Sequence, residues 1–333
     1  MDNHQNKPLV SIIIPAYNAA NFLNFSIGSV LSQTYRDIEI IVVDDNSTDH
    51  TKSVVESLQS QHSCIKYIWQ ENGKQGKARN NGIKHAKGEF IAFLDADDEW
   101  REDKLEKQIL QIIQHKADLI FSDGLLVRES ENEALKVLVE RGIDTIKMGA
   151  FCGELFGQRG ERLLYRKNRI PTSSVLCRKE SLIQSGGFIE EGIFQNCEDY
   201  LLWIRMVQNG HRLVGFNDEF LFYRMHPGSS TFNPVSSFRP LINTLFIIKN
   251  PMPEQVRIQL AGHIIEYLNI IGPNKLIESD IKIFNHYNKN TQEHLWRLML
   301  KVSLQLGLKS IFYKLLRRHA AKWITRDVSD DQL

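Results

Sequence analysis

The sequence predicts an α/β fold, a mostly parallel sheet with flanking helices, followed by a helical C-terminal region. Three observations carry this. Short apolar, β-branched runs recur through residues 10–123, stretches with helical spacing separate them, and several runs stop abruptly at a polar cluster. Strands and helices alternating at this pitch are βαβ units, which build parallel sheets. The length of 333 residues leaves room for about two domains.

The elements follow in order. Residues 10–15 are a near-continuous apolar run stopped by Pro15, the pattern of a strand buried on both faces. Residues 18–33 have helical spacing, with Phe22, Ile27, Val30 and Leu31 as apolar positions. A second strand at 39–43 ends in Asp44-Asp45-Asn46-Ser47-Thr48-Asp49, and a helix covers 51–61. A third strand at 65–69 and a helix at 76–86 lead to a fourth strand at 90–94, which runs into Asp95-Ala96-Asp97-Asp98. A helix at 101–116 and a strand at 118–123 follow. Glycines at 149, 153, 157 and 160 predict irregular structure over 124–170. Beyond it come a strand at 173–176, a short helix at 179–184, a turn at 185–188, and a helix at 199–209 closed by Gly210. From about residue 234 the pattern is helical to the end.

The chain carries 41 Lys+Arg against 40 Asp+Glu, which excludes a polycation or an acidic tail as the main theme. The balance is uneven, however. Residues 235–333 hold 14 basic and 8 acidic residues, leaving 27 basic against 32 acidic in residues 1–234. Within 297–326 there are eight Lys/Arg and no carboxylate, interleaved with Leu300, Leu304, Leu308, Ile311 and Leu315 at helical spacing. Such a segment either lies on an anionic membrane surface or packs its apolar stripe against the α/β part. An acidic body without a recognised nucleic-acid module argues against a nucleic-acid partner. Residues 1–8 are polar, and no apolar run reaches the ~18 residues of a membrane span. Cys64, Cys152, Cys177 and Cys197 lack zinc-site spacing. The expected location is the cytoplasm, with peripheral attachment to the inner face of the plasma membrane as an extension.

In open α/β sheets, ligands bind at the carboxyl ends of the strands. Here those ends are polar: Tyr17-Asn18, Asp44-Asp45 and Asp95-Ala96-Asp97. No Gly-rich dinucleotide or P-loop phosphate cradle is present. Two carboxylates at i and i+2 in a loop suit Mg²⁺ or Mn²⁺, which share their coordination with substrate phosphates. A solvated turn or a helix cap would use the same residues.

Taken together, these pieces resemble the family 2 glycosyltransferases, inverting enzymes of the GT-A (Rossmann-like) fold, of the type that builds bacterial surface polysaccharide. The matching residues are 10–18, 32–35 and 41–49, then Ala78-Arg79-Asn80-Asn81-Gly82-Ile83 and 88–98. Gly186-Gly187-Phe188, Glu198-Asp199-Tyr200 and the segment from Tyr223-Arg224-Met225-His226 to Ser229-Ser230 complete the set. The pieces run in family order over about residues 9–230, and residues 235–333 carry none of them. The catalytic domain is accordingly expected at 1–234, with nucleotide-sugar binding at about 8–125 and the acceptor part at about 126–234.

The resemblance implies a nucleotide-sugar donor, a UDP-sugar above all, and a glycan or undecaprenyl-linked oligosaccharide acceptor. It places Tyr17, Asp44 and Asp45 around the nucleoside, beside Pro15, which ends the strand without chemistry of its own. It places Arg79, Asp95 and Ala96 near the donor and Asp97 on the metal, Mn²⁺ or Mg²⁺, with Asp95 and His226 as further ligands. Arg224, Ser229 and Ser230 fall in a segment that closes over the diphosphate in relatives. Asp199 is the candidate general base and Glu198 the runner-up, both in the first turn of a helix, where the dipole favours an ionised carboxylate. Other readings stay open: transfer to a polyprenyl phosphate, where Asp199 would be dispensable, a nucleotidyltransferase, or an inactive sugar-binding module.

Overall fold

The computed structural model describes residues 7–128, 133–191 and 194–226. Residues 235–333, with the basic segment 297–326, lie outside the described residues, as do Ser229 and Ser230. Among the described residues no helix is long and apolar enough to cross a membrane.

The first half alternates as expected: β1 (Val10–Ala16), α1 (Leu23–Leu31), β2 (Ile38–Asp44), α2 (Thr51–Gln61), β3 (Ile65–Trp69), α3 (Lys74–His85) and β4 (Phe90–Phe93). A two-residue β5 (Glu99–Trp100) precedes α4 (Lys104–Gln114) and β6 (Leu119–Arg128). The stretch expected to be irregular is built instead from α5 (Leu135–Glu140), β7 (Thr145–Lys147), β8 (Gly153–Leu155) and α6 (Gly157–Arg166). The segment expected as a strand at 173–176 is a single 3₁₀ turn (Thr172–Ser174) followed by β9 (Leu176–Arg178). Then come α7 (Lys179–Gln184), α8 (Glu198–Gln208) and a long β10 (Leu213–Met225).

The sheet order is β3-β2-β1-β4-β9-β6-β10-β5, with β7 beside β6 and β8 beside β10. β1 to β4 are mutually parallel, and β6 is parallel to β10, while β9 is inserted antiparallel between β4 and β6. The chain leaves β1 toward β2 on one side and returns to β4 on the other, so a switch point lies at β1/β4.

Both faces of the central strands are apolar because both are covered. Ile12, Ile14, Ile40 and Val42 pack with Leu23, Ile27 and Val30 of α1 in one fully buried cluster. On the opposite face, α3 comes so close that a Cβ on Gly82 would stand 2.5 Å from Ile13 Cγ2. Each buried branched side chain contributes about 1.5–3 kcal/mol. That burial fixes the register in which Ala16 lies beside Asp44 and Ile13 beside Phe93. The residues that follow β1, β2 and β4 therefore emerge along one edge.

Candidate active site

At that edge lies a cavity of about 440 Å³, within the range of small-molecule sites. Of the residues expected at the site, Pro15, Tyr17, Asp45, Asp95, Ala96, Asp97 and His226 line it. Asp44, Arg79, Glu198, Asp199 and Arg224 do not; they stand behind or beside it.

The loop after β1 is held by the polar run after β2. Asn18 N–H donates to Ser47 Oγ at 2.9 Å, Ala19 N–H to Thr51 Oγ1 at 2.9 Å and Ala20 N–H to Asp49 Oδ2 at 3.1 Å. This explains the polar cluster Asn46 to Asp49, and it leaves Tyr17 at the cavity wall with 56% of its surface exposed. The two adjacent aspartates divide their work. Asp44 has both oxygens bonded within the protein: Oδ1 accepts Ser47 N–H at 2.8 Å and Oδ2 accepts the Tyr67 hydroxyl at 2.7 Å. Asp45 faces the cavity and accepts Gln70 Nε2, Gly73 N–H and Lys74 N–H, each at 2.8 Å. Those bonds fix its carboxylate and bring Lys74, a cation absent from the sequence expectation, onto the cavity wall. The Asn72-Gly73 turn signal before α3 was the available clue.

Asp97 and His226 meet on another wall, with His226 Nε2 3.1 Å from Asp97 Oδ2. The imidazole packs against the Phe22 ring at 4.9 Å between centroids. Among the described residues no group of three or more His, Cys, Asp or Glu surrounds a single point. A carboxylate oxygen and an imidazole nitrogen at one cavity wall, with Asp95 two residues away, still fit a Mg²⁺- or Mn²⁺-type ion. Such ions are held by one or two protein groups and completed by substrate phosphates and water.

Arg224 lies inside the fold. Its side chain is 1% exposed and its Nη2 reaches Glu99 Oε1 at 2.9 Å. Its Nε donates to the Asp97 carbonyl at 3.1 Å and its backbone N–H to Asp98 Oδ1 at 3.2 Å. Phe22 and Phe25 cover the guanidinium. A buried guanidinium with these partners braces the Asp97–Glu99 turn from β10. Asp98 is fully buried beneath it, and burial, with the charges of Asp97 and Asp95 next, pushes its pKa well above the ordinary carboxylate value.

Arg79 is also drawn inward. Its Nη1 bonds Glu198 Oε1 and its Nη2 bonds Asp95 Oδ1, both at 2.7 Å. It thus ties the DxD loop to the first turn of α8. Gly76 permits this, because a Cβ there would lie 2.6 Å from the Ile189 carbonyl oxygen and 3.3 Å from Glu198 Cγ. Asp199, the next residue, is half-buried. Its Oδ2 accepts the Thr172 hydroxyl at 2.7 Å and its Oδ1 accepts Tyr200 N–H at 2.6 Å. The sequence expectation was that the helix N-terminus would hold Asp199 ionised. The structure shifts the balance: burial raises its pKa, outweighing the pull of Thr172 and Arg79 in the other direction. Burial likewise raises Glu198 against the pull of Arg79. The Gly186-Gly187-Phe188 turn is clamped to α3. Asn80 Nδ2 donates to the Phe188 carbonyl at 2.8 Å, and Phe188 N–H donates to Asn80 Oδ1 at 2.9 Å.

A switch-point cavity with an Asp-rich loop on one wall, in a mostly parallel sheet flanked by helices, is the arrangement of the GT-A fold. Consistent with that, the structure of Staphylococcus aureus TarS 1–349 in complex with UDP-GlcNAc superposes with a TM-score of 0.65. It does so at 18% identity, over 94% of this chain and 92% of that one. The family model for glycosyl transferase family 2 matches residues 11–172. An Escherichia coli UDP-Glc:α-D-GlcNAc-diphosphoundecaprenol β-1,3-glucosyltransferase is 32% identical over 243 residues, 73% of this chain and 86% of its own length. A Campylobacter jejuni GalNAc(5)-diNAcBac-PP-undecaprenol β-1,3-glucosyltransferase is 38% identical over 172 residues, 48% of this chain and 54% of its own. The chain belongs to glycosyl transferase family 2. It spans about half the length of several curated relatives that it matches.

Proposed function

We propose that this chain is an inverting glycosyltransferase that moves a sugar from a UDP-sugar to a hydroxyl of a lipid-linked oligosaccharide or glycan. The observation that carries the reading is a single cavity combining an exposed aromatic and a fixed carboxylate (Tyr17, Asp45) with a phosphate-side set (Lys74, Asp97, His226). The names of the two glucosyltransferases support a lipid-diphosphate acceptor, and the UDP-GlcNAc bound to TarS supports a uridine donor.

The chemistry follows from the residues. Tyr17 offers a face for the base, and Asp45, already oriented by three donors, offers a carboxylate oxygen to a base N–H. Lys74 attracts the diphosphate as a point charge. Asp97 and His226 would hold Mn²⁺ or Mg²⁺, which when bound neutralises charge on the leaving diphosphate. Asp199, held by Thr172 and made more basic by burial, takes the proton from the acceptor hydroxyl, which attacks the anomeric carbon opposite the leaving UDP. The base opposite the leaving group gives inversion, as in inverting hydrolysis. Positioned base catalysis contributes about 10²–10⁴-fold. Arg79 sets the spacing between donor loop and base helix without touching substrate. In this reading residues 1–234 are the catalytic domain, and the enzyme works at the inner face of the plasma membrane, where its lipid-linked acceptor lies.

The test is a panel of nucleotide-sugars with Mn²⁺, read as released nucleotide. A UDP-sugar is expected to turn over. If no UDP-sugar is consumed and UDP gives no thermal shift, the reading is wrong.

A further inference from the structure

A second cavity, about 200 Å³, lies between α6 and the segment that follows it. Its floor is apolar, formed by Phe151 with the buried Leu155, Leu164 and Ile170, while Lys167 and Arg169 stand on its rim. These cations belong to a local concentration: residues 157–170 carry five Lys/Arg and one Glu, inside a body that is acidic on balance. That Glu, Glu161, is engaged by the Tyr165 hydroxyl at 2.8 Å. Among the described residues neither Lys167 nor Arg169 has an ion-pair partner.

The rim segment also touches the candidate base. Lys167 is extended, with φ −168° and ψ 138°. Lys167 and Arg169 line the slot, while Asn168 between them turns to Asp199, its Nδ2 3.4 Å from Oδ2. Two exposed cations at the mouth of an apolar-floored slot match an amphiphile whose anionic group directly abuts hydrocarbon. An inorganic anion would leave the apolar floor unused. A peptide would leave its backbone polar groups without partners there.

We propose that this slot receives the first isoprene units of a polyprenyl-diphosphate-linked acceptor, with its diphosphate on Lys167 and Arg169. The inference rests on the glycosyl-transfer reading and deepens it. The lipid end of the acceptor docks on one side of segment 167–169, and the reacting sugar reaches Asp199 on the other.

The test uses the full chain in EDTA, so that no divalent ion holds a diphosphate in the donor cavity. Farnesyl diphosphate, inorganic diphosphate and farnesol are titrated separately by calorimetry. Farnesyl diphosphate is expected to bind at least tenfold more tightly than either of the others. Lys167→Glu combined with Arg169→Glu should weaken it at least tenfold with an unchanged Tm. Leu163→Trp, which fills the slot, should weaken farnesyl diphosphate but not inorganic diphosphate. The proposal is overturned if the charge-reversed protein binds farnesyl diphosphate as wild type does, or if inorganic diphosphate binds equally well. It is also overturned if the reversal abolishes only adhesion to phosphatidylserine-containing vesicles, since the patch would then be a membrane contact. UDP binding to wild type in Mn²⁺ separates the two readings. Retained UDP binding without farnesyl diphosphate binding sinks the slot alone. Farnesyl diphosphate binding without UDP binding upholds the slot and removes the donor reading.

Discussion

Replacing Arg79 by Met removes the guanidinium that bridges Asp95 and Glu198, at 2.7 Å to each. The side chains of Arg79 and Glu198 are each 3% exposed, so Glu198 is left as a buried carboxylate without its counter-ion. Breaking a buried pair from one side costs about 3–5 kcal/mol. Asp95 is 31% exposed and recovers water, so most of the cost falls on Glu198. The cost depends on pH. Burial already raises the Glu198 pKa from its ordinary 4.5, and losing Arg79 raises it further. Below 4.5 the carboxyl is neutral in folded and unfolded chains alike, and the substitution costs least. As pH rises, ionisation is penalised only in the folded state, so the deficit grows until it levels off above the raised pKa. Urea unfolding at about pH 5 and about pH 8 measures this. We expect a loss of about 3–5 kcal/mol at the higher pH and a clearly smaller one at the lower. Adding Glu198→Gln should recover about 2 kcal/mol, because a neutral amide needs no counter-ion. A loss below about 1 kcal/mol, or one independent of pH, would refute the bridge as an energetic element.

Asp199→Asn should lower transfer by about 10²–10⁴-fold while UDP still produces a thermal shift; near wild-type turnover would remove Asp199 as base. Because burial raises the Asp199 pKa, the acid limb of kcat/KM should lie above its ordinary 3.8, with activity falling as pH drops through it. That limb should vanish in the residual activity of Asp199→Asn. Asp97→Asn and His226→Ala should each weaken Mn²⁺-dependent UDP binding at least about tenfold, read by calorimetry, with metal-independent binding through Tyr17 and Asp45 retained.

Much of the first half of the fold was legible because β1, β2 and β4 are apolar on both faces and stop abruptly. β10 was not. Asn217-Asp218-Glu219 interrupts its apolar pattern, and the structure accommodates those residues as register shifts between Phe216, Glu219 and Leu221. β7 and β8, three residues each, are too short to show a period. The cavity-lining residues at strand ends were legible from motif and topology together. The arginines were not: sequence supplies a charge but not the carboxylate it meets. Both Arg79 and Arg224 turned inward to bind the loops that present Asp95 and Asp97. Lys74 was overlooked because its place on the wall depends on Asp45 gathering the backbone N–H groups of Gly73 and Lys74.

The central claim is inversion by Asp199, which stands beside the cavity rather than on its wall. Its most direct test supplies the UDP-sugar that turns over, Mn²⁺ and a GlcNAc-diphospho-lipid acceptor, and reads the new anomeric linkage by proton NMR. A β-linked product from the α-linked donor, absent with Asp199→Asn, is the predicted result. An α-linked product, or β-product formed equally well by Asp199→Asn, would contradict it.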